Sequence, residues 1–213
     1  MEYDSIKKIY NSYAHCYDFF FKQFFHPRQK RAIEELVFKP GDVILDVGVG
    51  TGLTLPLYPS DCKVIGIDIS ADMLKQAKKK VADRGLTNVT LIEMDACNMS
   101  FEENSFDHVV ATHIISVVPE PVKVMNEMRR VGKVDCSMVV VNHFVSSNPV
   151  VAKVENFCDP FFRKIGWRMD MRLEDFVDAA NLEVYKTSQL NKIDLWQILH
   201  INNNKEYALQ LDN

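Results

Sequence analysis

The stretch "VILDVGVGTGL", residues 43–53, governs the reading of this chain. Val43, Ile44, Leu45 and Val47 form a short apolar run broken by Asp46, and glycines follow at alternate positions, Gly48, Gly50 and Gly52. Such a run reads as a buried strand. The glycines read as a turn in which backbone approaches a ligand closely and takes positive φ without steric cost. "KPGD" at 39–42 is the turn signal that starts the strand.

Outward from this point, strands and helices alternate. "KVIGIDIS" (63–70), "NVTLIEMD" (88–95), "FDHVVATHI" (106–114) and "CSMVVVNHF" (136–144) read as further strands. "ADMLKQAKKKVADRG" (71–85) and "PEPVKVMNEMRRVG" (119–132) read as helices between them. This pitch implies right-handed βαβ crossovers and a parallel sheet. After Phe144 the pattern weakens: residues 148–167 suggest a partly helical insertion and "RLEDFVDAA" (172–180) another helix. "LEVYKTSQL" (182–190) and "EYALQLD" (206–212) suggest two last strands. The expected class is therefore α/β, a doubly wound, mostly parallel seven-stranded sheet. An amphipathic helical arm over residues 1–35 precedes one domain over 36–213, with an insertion at about 145–171.

Length and composition agree with one soluble domain. The chain has 213 residues, 47% apolar and 25% charged, close to globular averages. No run approaches the roughly 18 apolar residues of a bilayer span. Glu2 and Asp4 stand where a secretory signal would be basic, so a cytoplasmic protein is expected. The five cysteines are widely spaced and form no C-x-x-C pair, which argues against a disulfide framework or a zinc site. A net charge of −4 argues against general nucleic-acid binding.

Charge is unevenly placed. Residues 1–31 carry a local +3, and the remainder carries −7. Within that basic arm Ile6, Tyr10, Tyr13, Tyr17, Phe21 and Phe24 recur at helical spacing, and Phe19, Phe20 and Phe25 add to the aromatic content. An aromatic, basic helix on an acidic body has two readings: a lid that buries its rings over a cleft, or an interfacial helix on an anionic membrane. The two can coexist on different faces.

The loop spacing G-x-G-x-G after Asp46 departs from the G-x-G-x-x-G dinucleotide fingerprint. From about residue 36 to residue 144 the chain instead resembles the class I S-adenosylmethionine-dependent methyltransferases, with their D-x-G-x-G-x-G loop. The resemblance implies a cofactor site at Asp46, Gly48, Gly50 and Gly52. It places Asp68, with Ile69 beside it, at the second strand's end for the ribose hydroxyls, and Asp95 and Ala96 at the third for the adenine. Met73 would pack on the adenine face, and Thr112 and His113 would close the fourth strand near the methionine moiety and sulfonium. No metal is implied.

The arm, "HIISVVPEP" (113–121), "VVVNHF" (139–144) and "IGWRMD" (165–170) together resemble the soluble-type bacterial phosphatidylethanolamine N-methyltransferases. That resemblance implies methylation of a lipid amine towards phosphatidylcholine by a cytoplasmic enzyme peripherally bound to an anionic membrane. Tyr13 and Tyr17 are the candidates for the acceptor pocket, because a hydroxyl accepts from the amine and a ring face attracts the methylated cation. Arg168 offers a planar fork for the lipid phosphate, and His143 a second donor. A salt bridge of Arg168 with Asp170 or Glu174, and a His143 satisfied internally, are the structural alternatives. A methyltransferase for a small metabolite or quinone precursor, and a non-catalytic S-adenosylmethionine-binding module, are the functional ones. A nucleic-acid substrate is disfavoured, since neither N-P-P-Y nor D-P-P-Y occurs. A monomer is compatible with the sequence.

Overall fold

Val43–Val47 forms β1, and from Ile44 to Val47 every residue of it is buried. Burial on both faces explains the near-continuous apolar run, which a half-exposed strand would interrupt at every second position. Ile44 packs with Val64, Val110 and Val139 on one face of the sheet, and Leu45 with Val109, Met138 and Val140 on the other. The strand's two-residue period thus divides one chain segment between two cores.

The computed structural model describes Gln23 and residues 25–146, 148–163, 168–191 and 194–205. The strands that follow β1 are β2 (Lys63–Asp68), β3 (Val89–Glu93), β4 (Phe106–Thr112), β5 (Gly132–His143), β6 (Glu183–Ser188) and β7 (Trp196–Asn202). They form a seven-stranded sheet in the order β3-β2-β1-β4-β5-β7-β6. The first five run parallel, and β7 is antiparallel to both β5 and β6. The helices are α1 (His26–Glu34), α2 (Ala71–Arg84), α3 (Pro121–Val131), α4 (Pro149–Arg163) and α5 (Leu173–Ala179). This is the doubly wound, Rossmann-like arrangement expected from the sequence.

Local chemistry sets the helix ends. Ser70 caps α2 by accepting from the Met73 amide at 3.2 Å, and Gly85 ends it in the left-handed region with Leu86 N–H reaching Val81 O. Pro121 opens α3, whose buried face is Val124, Met125, Met128 and Val131.

One element differs from expectation. Among the described residues the last strand is Trp196–Asn202, a segment not expected as a strand; the expected strand at 206–212 lies outside the described residues. β7 lies between β5 and β6, and Ile198 through Ile201 are buried, so it lacks the alternation expected of an edge strand. Most of the expected arm, residues 1–22 and Phe24, also lies outside the described residues.

Candidate functional site

The strand order reverses between β1 and β4, and in an open α/β sheet a ligand crevice forms at the carboxyl ends of the strands flanking such a point. A cleft lies there, with about 780 Å³ of empty space, open solvent at its mouth included. Gly48 and Gly50 supply one wall from the loop after β1. Asp68, Ile69 and Met73 come from the end of β2 and the start of α2, and Asp95 and Ala96 from the loop after β3. Thr112 and His113, at the end of β4, complete the set that the sequence nominated. Two nominated residues lie behind the wall: Asp46 and Gly52 do not line the cleft.

Gly52 packs inward. Its φ is +75°, and a Cβ there would stand 2.7 Å from Leu55 Cδ1 and 3.2 Å from Ala77 Cβ. Gly50 has the same handedness, φ +55°, but a Cβ there would meet nothing within 4 Å. One glycine therefore lets the loop sit on α2, while the other keeps open space in the cleft.

Asp46 is fully buried and braces the loop. Its Oδ2 accepts from Thr54 Oγ1 at 2.5 Å and Tyr58 Oη at 3.0 Å, while Oδ1 has no partner. Burial pushes its carboxyl up to about 6, although the Thr54 and Tyr58 hydrogen bonds pull the other way. Asp68 accepts from Gly50 N at 2.9 Å through Oδ2 and from Ser70 N at 2.8 Å through Oδ1. Burial raises its carboxyl as well, against the backbone amides that hold it. Asp95 Oδ1 accepts from Cys97 N at 2.8 Å.

Sequence reading flagged the segment after β4, and Ile114, Val117, Val118 and Pro119 do form an apolar rim. It missed Ser70 and Met94, which also line the cleft, and it missed Gln29 of α1. Gln29 Nε2 donates to Thr112 Oγ1 at 3.1 Å, joining α1 to the cleft wall. The Ser-Ala-Asp helix start was a legible signal for Ser70, whereas one glutamine among "HPRQKRAIEE" carries none.

The nominated acceptor residues fare unevenly. Tyr13 and Tyr17 lie outside the described residues. His143 is buried and does not line the cleft: its Nε2 lies 3.1 Å from Glu155 Oε1 of α4, and its ring meets Trp196 edge-on at 5.5 Å. Burial lowers its basicity, while Glu155 and Asp194 act against that. Arg168 Nε donates to Asp170 Oδ1 at 3.2 Å, the structural alternative stated above, and its amide donates to Ser116 O, beside the cleft rim. Arg28 of α1 binds Asp194 through two nitrogens and lies 4.3 Å from the Trp196 ring centre.

A family model described as a methyltransferase domain matches residues 45–140. Over 201 residues the chain is 39% identical to phosphatidylethanolamine N-methyltransferase of Cereibacter sphaeroides, a match that covers 93% of this chain and 98% of that one. The chain belongs to the class I S-adenosylmethionine-dependent methyltransferases. This methyltransferase is also 32% identical over 145 residues to demethylmenaquinone methyltransferase of Staphylococcus saprophyticus, covering 64% of its own length and 61% of the relative's. A solved structure of Haemonchus contortus phosphoethanolamine N-methyltransferase 2, in complex with phosphomonomethylethanolamine and S-adenosylhomocysteine, shares the fold. It aligns at TM-score 0.68 and 24% identity over 83% of the methyltransferase and 44% of that chain.

The cleft suits S-adenosylmethionine on its own chemistry. Carboxylates stand at the ends of two adjacent strands, the apolar residues Ile69, Met73 and Met94 line the same cleft, and Gly50 leaves open space where any side chain would intrude. Among the described residues no helix is long and apolar enough to cross a membrane.

Proposed function

We propose that this methyltransferase acts on the amine of phosphatidylethanolamine and its methylated derivatives, towards phosphatidylcholine, while peripherally bound to an anionic membrane surface. One observation carries the reading. The 39% identity to the Cereibacter sphaeroides enzyme runs over 93% of the chain, well beyond residues 45–140 that many methyltransferases share. Acceptor choice lies in those additions and not in the common fold.

A surface feature supports the lipid reading. On α4, Val150, Phe157 and Phe161 recur at helical spacing and are 70%, 86% and 67% exposed, with exposed Lys153 among them. Exposed apolar residues interleaved with a lysine suit a helix lying at a bilayer surface.

In this reading Asp68 accepts the ribose hydroxyls with the lone pairs that Gly50 and Ser70 leave free. Asp95 and Ala96 meet the adenine edge, and Ile69 and Met73 its face. Gly48, Gly50 and Thr112 border the methionine portion, with Asp46 and Gly52 holding the loop from behind. S-adenosylmethionine supplies a methyl group already activated by its sulfonium and leaves as S-adenosylhomocysteine. What the protein adds is orientation, which can be worth several kcal/mol when an amine is held about 3 Å from the carbon it attacks. Tyr13 and Tyr17 complete the acceptor pocket, Arg168 exchanges Asp170 for the lipid phosphate, and His143 positions α4.

The test is S-adenosylhomocysteine formation with vesicles containing phosphatidylethanolamine, matched vesicles without it, and soluble phosphoethanolamine. Turnover with the lipid amine alone supports the reading; turnover on the soluble amine alone contradicts it. The identity to demethylmenaquinone methyltransferase favours a quinone-precursor acceptor as the second reading, and it rests on a shorter match.

A further inference from the structure

His113 is the first residue beyond β4 and lies in the cleft wall. Its backbone is left-handed, φ 61°, a conformation that side-chain-bearing residues seldom hold, and its amide is fixed by Val141 O at 2.7 Å. Both ring nitrogens are buried; the Phe25 backbone takes a hydrogen bond from one, and the other is left without a partner. Gln29 of α1 donates through Nε2 to Thr112 and leaves Oε1 buried and without a partner. Two unpartnered polar groups thus flank adjacent residues at the end of β4. Such groups are costly, as is the strained backbone, and both persist where a ligand makes use of them.

We propose that His113 and Gln29 hold the acceptor amine, each accepting one N–H, so that the nitrogen's lone pair faces the methyl donor. The inference rests on the proposed amine substrate and goes further by naming the groups that orient it. The substrate ammonium first gives one proton to water. The nitrogen's lone pair then forms the N–C bond as the C–S bond breaks, and that electron pair returns to sulfur.

The surroundings keep His113 an acceptor. Burial, and then the positive charge of Arg28 on α1, hold its imidazole down at about 3, so the ring is neutral near pH 7. The Phe25 ring packs edge-on at 4.4 Å, and the hydrogen bond to the Phe25 backbone pulls the other way without overcoming burial and Arg28. A neutral ring carries a lone pair on one nitrogen and adds no positive charge beside a sulfonium and a cationic product.

The number of N–H groups makes the inference testable. A neutral primary amine offers two, a monomethylated amine one, and a dimethylated amine none. Initial rates of S-adenosylhomocysteine release are measured with vesicles of unmethylated, monomethylated and dimethylated phosphatidylethanolamine, for wild type, His113→Ala and His113→Asn. His113→Ala is expected to lose about tenfold on the unmethylated lipid, as for a deleted hydrogen-bond partner, and progressively less as methylation proceeds. The ratio of dimethylated to unmethylated rate then rises at least about fivefold, a shift that general damage to the fold would not produce. Asn tolerates the left-handed backbone and carries an acceptor oxygen, so His113→Asn recovers part of the unmethylated rate.

Equal loss on all three lipids, or no loss, overturns the inference while leaving the proposed function standing. Wild type that releases no product with any of the three overturns both. If His113→Ala does not bind S-adenosylhomocysteine in calorimetry, Gln29→Leu on α1 puts the same question, with the same expected ordering and the same contrary result.

Discussion

His143 and Glu155 meet 3.1 Å apart with both side chains almost wholly removed from solvent, and Glu155 also accepts from Ser146 N at 2.9 Å. Through this contact the end of β5 holds α4, the helix whose other face exposes Phe157 and Phe161. Removing one partner of a buried, hydrogen-bonded pair is strongly destabilising, because it strands the other. Glu155→Ala, which takes the acceptor from the Ser146 amide and the His143 ring, should therefore lower unfolding free energy by about 1–3 kcal/mol in denaturant titration. A loss near zero would mean that the pair does not anchor α4.

The glycine loop separates a folding role from a cleft role. Gly52→Ala forces a Cβ against Leu55 and Ala77 at φ +75°, so its thermal midpoint should fall by several degrees, as for a loss of about 1–2 kcal/mol. Gly50→Ala meets no neighbouring atom and bears only the cost of its left-handed backbone, so it should fall less. Paired calorimetric scans decide; a larger loss at Gly50 would contradict this division.

Asp68 joins the two sides of the cleft through Gly50 N and Ser70 N. Asp68→Ala should weaken S-adenosylhomocysteine binding at least tenfold, since a hydrogen bond to a charged group contributes about 1.5–3 kcal/mol. Isothermal titration calorimetry gives the answer, and unchanged affinity would remove Asp68 from the cofactor site.

Glu35 ties α1 to the far edge of the sheet. Its Oε2 accepts from Lys186 at 2.8 Å, Ser188 at 2.9 Å and His200 at 2.7 Å, and Arg31 binds its other oxygen. Burial alone would raise this carboxyl, but the four hydrogen bonds hold it at about 2 against an ordinary 4.5. Below 4.5 the unfolded chain takes up a proton that the folded one refuses, so this stabilisation is present above 4.5 and is lost as pH falls towards 2. The stability difference between wild type and Glu35→Gln should shrink across that window. A difference that stays constant with pH would contradict the assignment.

The fold was legible where pattern and physics coincide. β1 to β5 are apolar runs separated by turn signals, and the glycine spacing after Asp46 marked the loop that now borders the cleft. β7 was not legible, because a strand buried on both faces offers no alternation, and "WQILHIN" carries no turn signal to set it off. The cleft could be read from strand ends, since Asp68 is the last residue of β2 and Asp95 stands two residues beyond β3. Asp46 shows the limit: strand position names the residue, but only the fold shows its carboxylate turned to Thr54 and Tyr58 behind the wall. Gln29, Glu155 and Asp194 were invisible because each acts through a partner more than ten residues away.

The most direct test of the central claim is the lipid profile of a bacterial host that makes phosphatidylethanolamine but no phosphatidylcholine, after expression of this chain. Mass spectrometry should reveal phosphatidylethanolamine carrying added methyl groups with the wild type and none with Asp68→Ala. An unchanged profile, with the purified protein turning over S-adenosylmethionine on a quinone precursor or another small acceptor, would contradict the lipid assignment.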